Sequence, residues 1–394
     1  MRVLYIDYNL YGKNDIVKAF QKLGYETEIT DIPLVYGENT EQTDNAVFDK
    51  IRNGSYDMVF TSNYYPAVSD SCERIGVTYV SWTYDSPRIA LYDSTILNKC
   101  NHAFTFDSSE CAKLRNKGVE NIYYMPLATA AERIDEISVT EDDRRCFGAD
   151  VSLVASLYNE EHNLYDRMEG RLDGYTRGYL LGLMNAQMNL FGSNILEDVL
   201  EGSVPLEKMY EAMPYPIKEG SLATLEYIYS NYFLCRKVAT MQRLGMIKSI
   251  SDSFEMKVYT PGDLSAITGV KHMGTVDYNS DMYKVFNLSK INMNITLPSI
   301  KTGIPLRAMD IMGAGGFLLT NYQADFEGLF EAGVDYEYYS SVEEALYKIE
   351  YYLGHEEEWR EIADNGRRRV MQSFTDYERL KDMLDIVNQR ITDR

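Results

Sequence analysis

Short, continuously apolar runs alternate with stretches of helical periodicity over the first third of the chain. The strand-like runs are RVLYID (2–7), DMVFTS (57–62), VTYVSW (77–82) and HAFTFD (102–107). Strands that are apolar throughout, and that are separated by helical stretches, are typical of a parallel sheet covered on both faces. Because crossovers between parallel strands are right-handed, the pattern predicts a doubly wound α/β domain over residues 1–147.

The pattern changes after a charged stretch, EISVTEDDRRCFGAD (136–150), which we interpret as a linker. A new strand, DVSLVAS (150–156), opens a second α/β domain that we place at residues 148–373. Between about 160 and 250 the apolar positions recur at helical spacing without strand signals, which predicts a helical insertion in this domain. Strand–helix alternation then resumes, and a last amphipathic helix at 374–394 is expected to pack back on the first domain.

Charge excludes two classes of partner. Lys and Arg number 39 and Asp and Glu number 60, which gives a net charge of −21. Because a surface this acidic repels nucleic acids and anionic lipids, we expect neither as a partner. No apolar run approaches the roughly 20 residues of a membrane span, and the first residues lack the apolar core of a signal peptide. We therefore expect a cytoplasmic protein with no membrane span.

Metal chemistry is also not expected. The five cysteines form no CxxC pair, and the four histidines have no spacing typical of metal ligands. This pattern favours reduced thiols in a reducing compartment and no bound zinc.

The most informative segment is residues 291–321. A buried strand, INMNITL (291–297), is followed by a short loop and by a helix that we predict over GIPLRAMDIMGAGG (303–316). The backbone N–H groups of its first turn, which includes Gly303 and Ile304, are free to bind an anion at the carboxyl edge of a parallel sheet. Proline is tolerated in such a turn because its missing N–H would be unpaired anyway.

Basic and acidic side chains flank this predicted anion site. Lys301, Thr302 and Arg307 lie beside the turn, and a local positive charge in so acidic a chain would attract a diphosphate. Asp310 shares a helix face with Gly303 and Arg307, so it can point into the same cleft as the predicted phosphate site. A carboxylate can accept from two vicinal hydroxyls at once, which suits a ribose. The same spacing also allows Arg307 and Asp310 merely to pair with each other on a helix surface, and both interpretations remain open.

The order of these elements resembles a known family. The chain resembles the C-terminal half of group-1 glycosyltransferases from Gly269 to Arg369. The segments that carry the resemblance, in the family's order, are Met273–Val276, Pro298–Ser299, Lys301–Gly303 and Asp310–Gly315. Three segments are more narrowly similar to CgeB-like, spore-protein-type glycosyltransferases. They are GIPLRAMDIMGAGGFLLTNYQADFEGLFEAGVDY (303–336), DVSLVASLYNEEHNLYDR (150–167) and SWTYDSP (81–87).

The resemblance implies a GT-B fold, in which two Rossmann-like domains face a central cleft. It implies a nucleotide-diphosphate sugar donor, with UDP as the expected nucleotide, bound by the second domain, and a protein or glycan acceptor bound by the first. No DxD motif follows a predicted strand, so we expect metal-independent transfer, with no cofactor other than the donor. The family's paired acids would fall on Thr302 and Asp310, and the first is missing. Ribose binding by Asp310 therefore carries over better than the identity of the sugar or the stereochemical outcome.

Further candidates follow the predicted strands of both domains. Ser156 and Tyr158 end the first strand of the second domain, where Ser156 would bond a phosphate or serve only as a turn serine. Tyr322 and Glu327 lie past the FLLTN strand, and the resemblance suggests a donor contact there, with a solvated surface acid as the alternative. Asp85 is the candidate general base or acceptor-binding acid, although Asp-Ser-Pro is also a common turn opening.

The remaining expectations concern the acceptor and the rival functions. Asp7, Asn9 and Gly12, in the loop after the first strand, are expected to border the acceptor. The rivals are a catalytically inactive sugar-nucleotide-binding subunit, which the missing first acid favours, and a sugar-nucleotide epimerase on the same fold. A dinucleotide oxidoreductase is disfavoured because no GxGxxG follows the first strand.

Overall fold

The computed structural model describes residues 1–7, 12–34, 40–159 and 163–392. They form two compact units. Unit 1 comprises Met1–Ala130, Lys218–Ala223 and Ser373–Arg394, and unit 2 comprises Ala131–Ile217 and Thr224–Gln372. The sequence predicts the first domain boundary at residue 147, whereas in the structure the first segment of unit 1 ends at Ala130.

Unit 1 is a doubly wound α/β structure, in which strands and helices alternate. Its elements in chain order are β1 (Arg2–Asp7), α1 (Lys13–Lys22), β2 (Glu26–Asp31), α2 (Glu41–Gly54), β3 (Met58–Ser62), α3 (Pro66–Ile75), β4 (Thr78–Thr83), β5 (Asn101–Thr105), α4 (Ser108–Asn116) and β6 (Ile122–Tyr124). The strands form one parallel sheet in the order β2-β1-β3-β4-β5-β6. The inner strands β3 and β5 are buried at every position, as the continuous apolar runs predict.

Unit 2 is larger and contains more helices. Its elements are α5 (Ala131–Asp135), α6 (Glu141–Phe147), β7 (Ala149–Val154), α7 (Leu164–Glu169), α8 (Gly174–Met188), α9 (Leu196–Leu200), α10 (Val204–Ala212), α11 (Leu225–Ile228), α12 (Cys235–Ser251), β8 (Met256–Tyr259), β9 (Lys271–His272), α13 (Asp281–Leu288), β10 (Ser289–Asn294), α14 (Leu306–Gly313), β11 (Leu318–Asn321), β12 (Glu337–Tyr339), α15 (Val342–Gly354) and α16 (Glu356–Ser373). The predicted insertion is helical from α7 to α12, with a π-helical turn, Tyr229–Leu234, leading into α12.

The second sheet is also parallel, in the order β12-β11-β10-β7-β8-β9. From β7 the chain proceeds outward to β8 and β9, and from β10 it proceeds outward on the other side. The order therefore reverses between β7 and β10, and ligands of doubly wound sheets bind at the carboxyl edge beside such a switch point. The apolar core of the unit packs α12, α15 and α16 against this sheet.

The stretch that the sequence analysis took for a linker contains α6. Thr140 caps this helix by accepting from the backbone N–H of Asp143 at 3.2 Å, and the Asp143 carboxylate accepts from the backbone N–H of Thr140 at 2.9 Å. Asp143 also accepts from Lys284 of α13 at 3.1 Å. A reciprocal capping box and an ion pair therefore stabilise a short polar helix within the stretch interpreted as a linker.

The last helix, α17 (Asp376–Thr392), belongs to unit 1 and packs on α1. Its apolar face is buried at Leu380, Met383, Leu384 and Val387. Just before it, Thr375 forms a parallel bridge with Thr129. Among the helices of the described ranges, none is both long and apolar enough to cross a membrane.

Candidate functional site

Two turns of unit 2 meet at the switch point, and one arginine joins them. Arg243 of α12 donates from Nη1 to the carbonyl oxygen of Ser156, which follows β7. From Nη2 it donates to the carbonyl oxygen of Ile295, which follows β10, at 2.7 Å. Only 8% of Arg243 is exposed. The two turns that flank the switch point are therefore tied to the same buried guanidinium.

The turn after β7 is held by one face of α12. Thr240 donates to the carbonyl oxygen of Tyr158 at 3.0 Å, and the guanidinium carbon of Arg243 lies 4.9 Å from the centre of the Tyr158 ring. Tyr158 has φ of 55°, a left-handed conformation that is uncommon outside glycine. The Ser156 hydroxyl accepts from the backbone N–H of Tyr158 at 3.2 Å, so Ser156 has the contact expected of a turn serine. Its predicted contact with a phosphate stays a prediction.

The turn after β10 is fixed by a buried network of amides and hydroxyls. Asn294 donates from Nδ2 to Thr296 at 3.0 Å and to Thr320 of β11 at 2.9 Å. Asn321 accepts from the backbone N–H of Thr296 at 2.7 Å. Because each of these groups is buried, losing one partner would leave an unsatisfied polar atom. The network therefore makes this strand end a rigid support for the loop that follows.

Helix α14 begins at Leu306, with Pro305 as its N-cap, and not at Gly303 as predicted. A residue before proline is disfavoured in the helical region, so Ile304 stays outside the helix. Gly303 and Ile304 are buried residues of the preceding loop. The unsatisfied backbone N–H groups of this helix end therefore start at Leu306, and the predicted first turn at 303–306 was wrong.

Arg307 and Asp310 lie together on α14. Arg307 Nη1 is 3.9 Å from Asp310 Oδ2, and it also contacts the Met282 sulfur. Asp310 is 1% exposed and accepts from the hydroxyl of Tyr283 at 3.3 Å. The pairing that the spacing allowed is thus present, and it lies in a buried position and not on a solvated helix surface.

Arg133 and Tyr278 lie next to Tyr283, which donates to this carboxylate. Arg133 of α5 donates to the hydroxyl of Tyr283 at 3.2 Å and to the carbonyl oxygen of Tyr278 at 3.3 Å. Burial, and then the negative charge of Asp310, raise the pKa of both the Tyr278 and the Tyr283 phenols. Both phenols therefore stay protonated at neutral pH, which keeps Tyr283 a donor to Asp310. Sequence analysis missed Arg133 and Tyr283.

Lys301 and Thr302 lie in the loop before α14. The Lys301 ammonium is 3.8 Å from the carboxylate of Glu197 in α9, so it faces the helical insertion. The Thr302 carbonyl oxygen accepts from the backbone N–H of Asp325 at 2.9 Å, which joins the loops after β10 and β11. Both residues lie between β10 and α14, and their predicted part in an anion site stays a prediction.

Tyr322 and Glu327 follow β11 and contact each other. The Tyr322 hydroxyl donates to Glu327 Oε1 at 2.7 Å, and this hydrogen bond is the main reason that the pKa of Tyr322 is raised. Glu327 is exposed. Their predicted contact with a donor stays a prediction.

In unit 1 the acidic candidates follow β1 and β4. Asp85 is exposed and accepts from Asn63 Nδ2 at 2.9 Å, while its backbone N–H donates to Asn63 Oδ1 at 3.1 Å. Asp7 is buried and lies 3.2 Å from the ammonium of Lys13. Asn9 lies outside the described residues. Because β1 and β3 flank the switch point of this sheet, Asp7 and Asn63 lie at its carboxyl edge.

Arg243 is the main residue that sequence analysis missed. It lies within a helical stretch whose apolar spacing predicted only core packing. The available signal was the row Arg236, Thr240 and Arg243, which places three polar side chains on one face of an otherwise apolar helix. That face contacts the turn after β7, through the Tyr158 ring and carbonyl oxygen and the Ser156 carbonyl oxygen.

Residues 241–385 match a protein-family model described as glycosyl transferase-like, which covers less than half of the chain. The matched segment contains Arg243, the turn after β10 and all of α14. No sequence among curated proteins matches the chain.

Solved structures are similar over the whole chain. A glycosyltransferase from Rickettsia africae is 11% identical, with a TM-score of 0.56 over 100% of this chain and 99% of that one. Sucrose-phosphate synthase from Thermosynechococcus elongatus is 10% identical, with a TM-score of 0.58 over 100% of both chains. HepE from Anabaena in complex with UDP-glucose is 9% identical, with a TM-score of 0.54 over 99% of this chain and 100% of that one.

At these identities the similarity establishes the fold alone. The two six-stranded parallel sheets with their helices have the GT-B architecture, which confirms the predicted fold class.

Proposed function

We propose that this protein is a glycosyltransferase that moves a hexosyl group from a nucleotide-diphosphate sugar to a protein or glycan acceptor, and that it belongs to the CgeB-like group. One observation carries the proposal. The segment that matches the glycosyl transferase-like model contains the turn after β10 and the start of α14, with Lys301 before that helix and Arg307 in its first turn. UDP is the proposed nucleotide because HepE, a structural neighbour, has been solved with UDP-glucose.

The donor would bind to unit 2 through its diphosphate. Backbone N–H groups at the start of α14, starting at Leu306, would bind phosphate oxygens, since a helix N-terminus favours negative charge. Lys301 would complement this charge from the preceding loop. Ser156 and Tyr158, on the turn after β7, and the backbone of Thr302, Gly303 and Ile304 would line the same edge. Tyr322 and Glu327 would contact the sugar from the loop after β11.

Asp310 would bind the ribose. Its carboxylate already accepts from Tyr283, so a ribose hydroxyl would add to or replace that donor. A carboxylate accepts readily from two vicinal hydroxyls, and hydrogen bonds to a charged group contribute about 1.5–3 kcal/mol. Entry of the ribose requires the surroundings of Asp310 to open, because only 1% of the residue is exposed.

Transfer would rely on protein charges without a divalent ion. As the sugar leaves, negative charge grows on the diphosphate, and Arg307 with the helix N–H groups would stabilise it. Asp85 of unit 1 would accept the proton of the acceptor hydroxyl, or bind the acceptor. The expectation of metal independence is tested by adding EDTA to the reaction.

A thermal-shift series with UDP, GDP and TDP and their sugars tests the proposal. A ligand at one hundred times its dissociation constant adds about 2.7 kcal/mol to stability, so the cognate nucleotide should raise Tm clearly. Release of UDP from a UDP-sugar in the presence of acceptor, followed by chromatography, then tests transfer. No stabilisation by any nucleoside diphosphate would contradict the proposal.

A catalytically inactive sugar-nucleotide-binding subunit is the second candidate. It is favoured by Thr302, which stands where the family's first acid is expected. Under this alternative, UDP would raise Tm but no UDP would be released from a UDP-sugar with any acceptor. An epimerase would instead convert the sugar nucleotide without an acceptor, and chromatography of the sugar nucleotide separates that outcome from transfer.

A further inference from the structure

Arg243 is a buried cation whose guanidinium is hydrogen-bonded to two backbone carbonyl oxygens. No carboxylate oxygen of the described residues lies within 4.0 Å of its guanidinium. Its Nη atoms donate to the Ser156 and Ile295 carbonyl oxygens, and its Nε has no hydrogen-bond partner among the residues that the structure describes. Burial lowers the pKa of Arg243, Tyr158 and Tyr339 raise it, and the guanidinium of Arg307 lowers it further.

A buried guanidinium without a carboxylate nearby destabilises the folded protein when no ligand is bound. Burying an ionised group costs several kcal/mol unless an opposite charge and hydrogen bonds compensate it. Two carbonyl dipoles offset part of this cost, and the nearby guanidinium of Arg307, itself paired with Asp310, adds to it. Among the described residues, the guanidinium of Arg243 is thus compensated by carbonyl dipoles and not by a carboxylate, in a chain whose net charge is −21. A bound dianion would complement it.

The position of the guanidinium matters as much as its charge. Its two Nη atoms reach across the reversal in strand order, to residues that are 87 and 52 positions away in sequence. One carbonyl belongs to the turn after β7 and the other to the turn after β10. A lysine keeps the charge but presents a single nitrogen, so it cannot reproduce this planar two-pronged contact.

We propose that Arg243 is the positioning residue of the diphosphate site. It fixes the two switch-point turns relative to each other, and its positive charge compensates the negative charge of a nucleoside diphosphate bound beside them. This inference rests on the proposed function, which it deepens by assigning the charge to a residue of the helical insertion. Arg243 acts through the turns and through its electric field, and it remains hydrogen-bonded to the two carbonyls when the diphosphate is bound.

The test uses the full-length chain with Arg243→Lys and Arg243→Gln. Calorimetry is expected to show UDP affinity at least about 10-fold weaker in Arg243→Gln, which is about 1.4 kcal/mol, and a smaller loss in Arg243→Lys. Uridine, which lacks the diphosphate, is expected to bind all three proteins within about twofold of one another. Lys248→Gln is the matched control, because Lys248 is an exposed cation on the same helix.

Hydrogen–deuterium exchange separates this inference from the proposed function. Both variants are expected to exchange faster than wild type at residues 155–158 and 295–304, with unchanged exchange in β7 and β10. If wild type does not bind UDP, the proposed function fails, while faster exchange in the two turns still supports the positioning role. Unchanged exchange in both turns, unchanged UDP affinity, or an equal loss of UDP and uridine affinity would overturn the inference.

Discussion

Arg307 and Asp310 form an ion pair within α14, with 3.9 Å between Nη1 and Oδ2. The pair is one helical turn from the free N–H groups at Leu306, and Asp310 is also hydrogen-bonded to Tyr283. The two side chains therefore constrain each other, so that replacing one alters the charge at the other. Their separate contributions can be distinguished because Asp310 is proposed to act in binding and Arg307 in turnover.

Asp310→Asn is expected to weaken UDP binding by about 1.5–3 kcal/mol, because a charged acceptor becomes a neutral one. Isothermal titration calorimetry measures the change, with Asp364→Asn on the exposed face of α16 as the control. Equal UDP affinity in Asp310→Asn and wild type would remove Asp310 from the nucleotide site.

Arg307→Ala is expected to lower kcat about 100-fold while changing UDP affinity much less, since its charge would act on the departing diphosphate. Steady-state rates of UDP release give kcat, and calorimetry gives the affinity. Arg307→Lys, which keeps the charge but not the planar group, should recover part of the rate. A wild-type kcat in Arg307→Ala would refute the role.

Asp85→Asn is expected to reduce transfer by about 10²–10⁴-fold if Asp85 is the general base, without altering UDP affinity. Asparagine has almost the same shape, so the contact with Asn63 is largely kept. Transfer assays with acceptor measure the effect. A variant that transfers as fast as wild type would leave Asp85 as a turn residue.

Glu110 makes the stability of unit 1 depend on pH. Burial, and then the nearby charge of Asp107, raise the pKa of Glu110 from 4.5 to about 7, while Lys113 lowers it. The folded state thus holds this proton more tightly than the unfolded state, so stability is lost as pH rises from about 4.5 to 7. Glu110→Gln should remove this loss, with a gain over wild type of up to about 3 kcal/mol at pH 8 and little at pH 4.5. Urea unfolding at both values tests it, and a gain of the same size at both would contradict the assignment.

Asp143 has the opposite dependence. Its hydrogen bonds to the Thr140 side chain and backbone, and then to Lys284, lower its pKa from 3.8 to about 2. The stability it contributes is therefore complete above pH 3.8 and is lost as pH falls towards 2. Asp143→Asn should destabilise the protein in urea unfolding at pH 6, and this difference should shrink at pH 3. Thr140→Ala, which removes the cap, is expected to cost about 1 kcal/mol at pH 6.

Much of the fold could be predicted because its signals are local. Continuous apolar runs marked β1, β3, β4 and β5, and helical spacing marked the insertion and α17. The start of α14 was misplaced because the proline that was read as an early helical residue acts as the N-cap, and Ile304 before it is kept out of the helix. Helix α6 was missed because capping and an ion pair, and not an apolar face, stabilise it.

The candidate site was harder to predict because its contacts are distant in sequence. Asp310 and Arg307 could be related by helical spacing, but Arg133 and Tyr283 are joined by a hydrogen bond across 150 positions. Arg243 binds backbone carbonyls, which carry no side-chain signature in a sequence. Residue type alone therefore identified the charged groups of one helix but not the partners that the topology supplies.

The return of α17 to unit 1 has a consequence for synthesis on the ribosome. The chain makes β1 to β6 first, leaves the unit at Ala130, and supplies its closing helix only after Ser373. Until α17 emerges, the surface of α1 on which it packs stays uncovered. The packing of unit 1 is thus completed only after the whole of unit 2 has been synthesised.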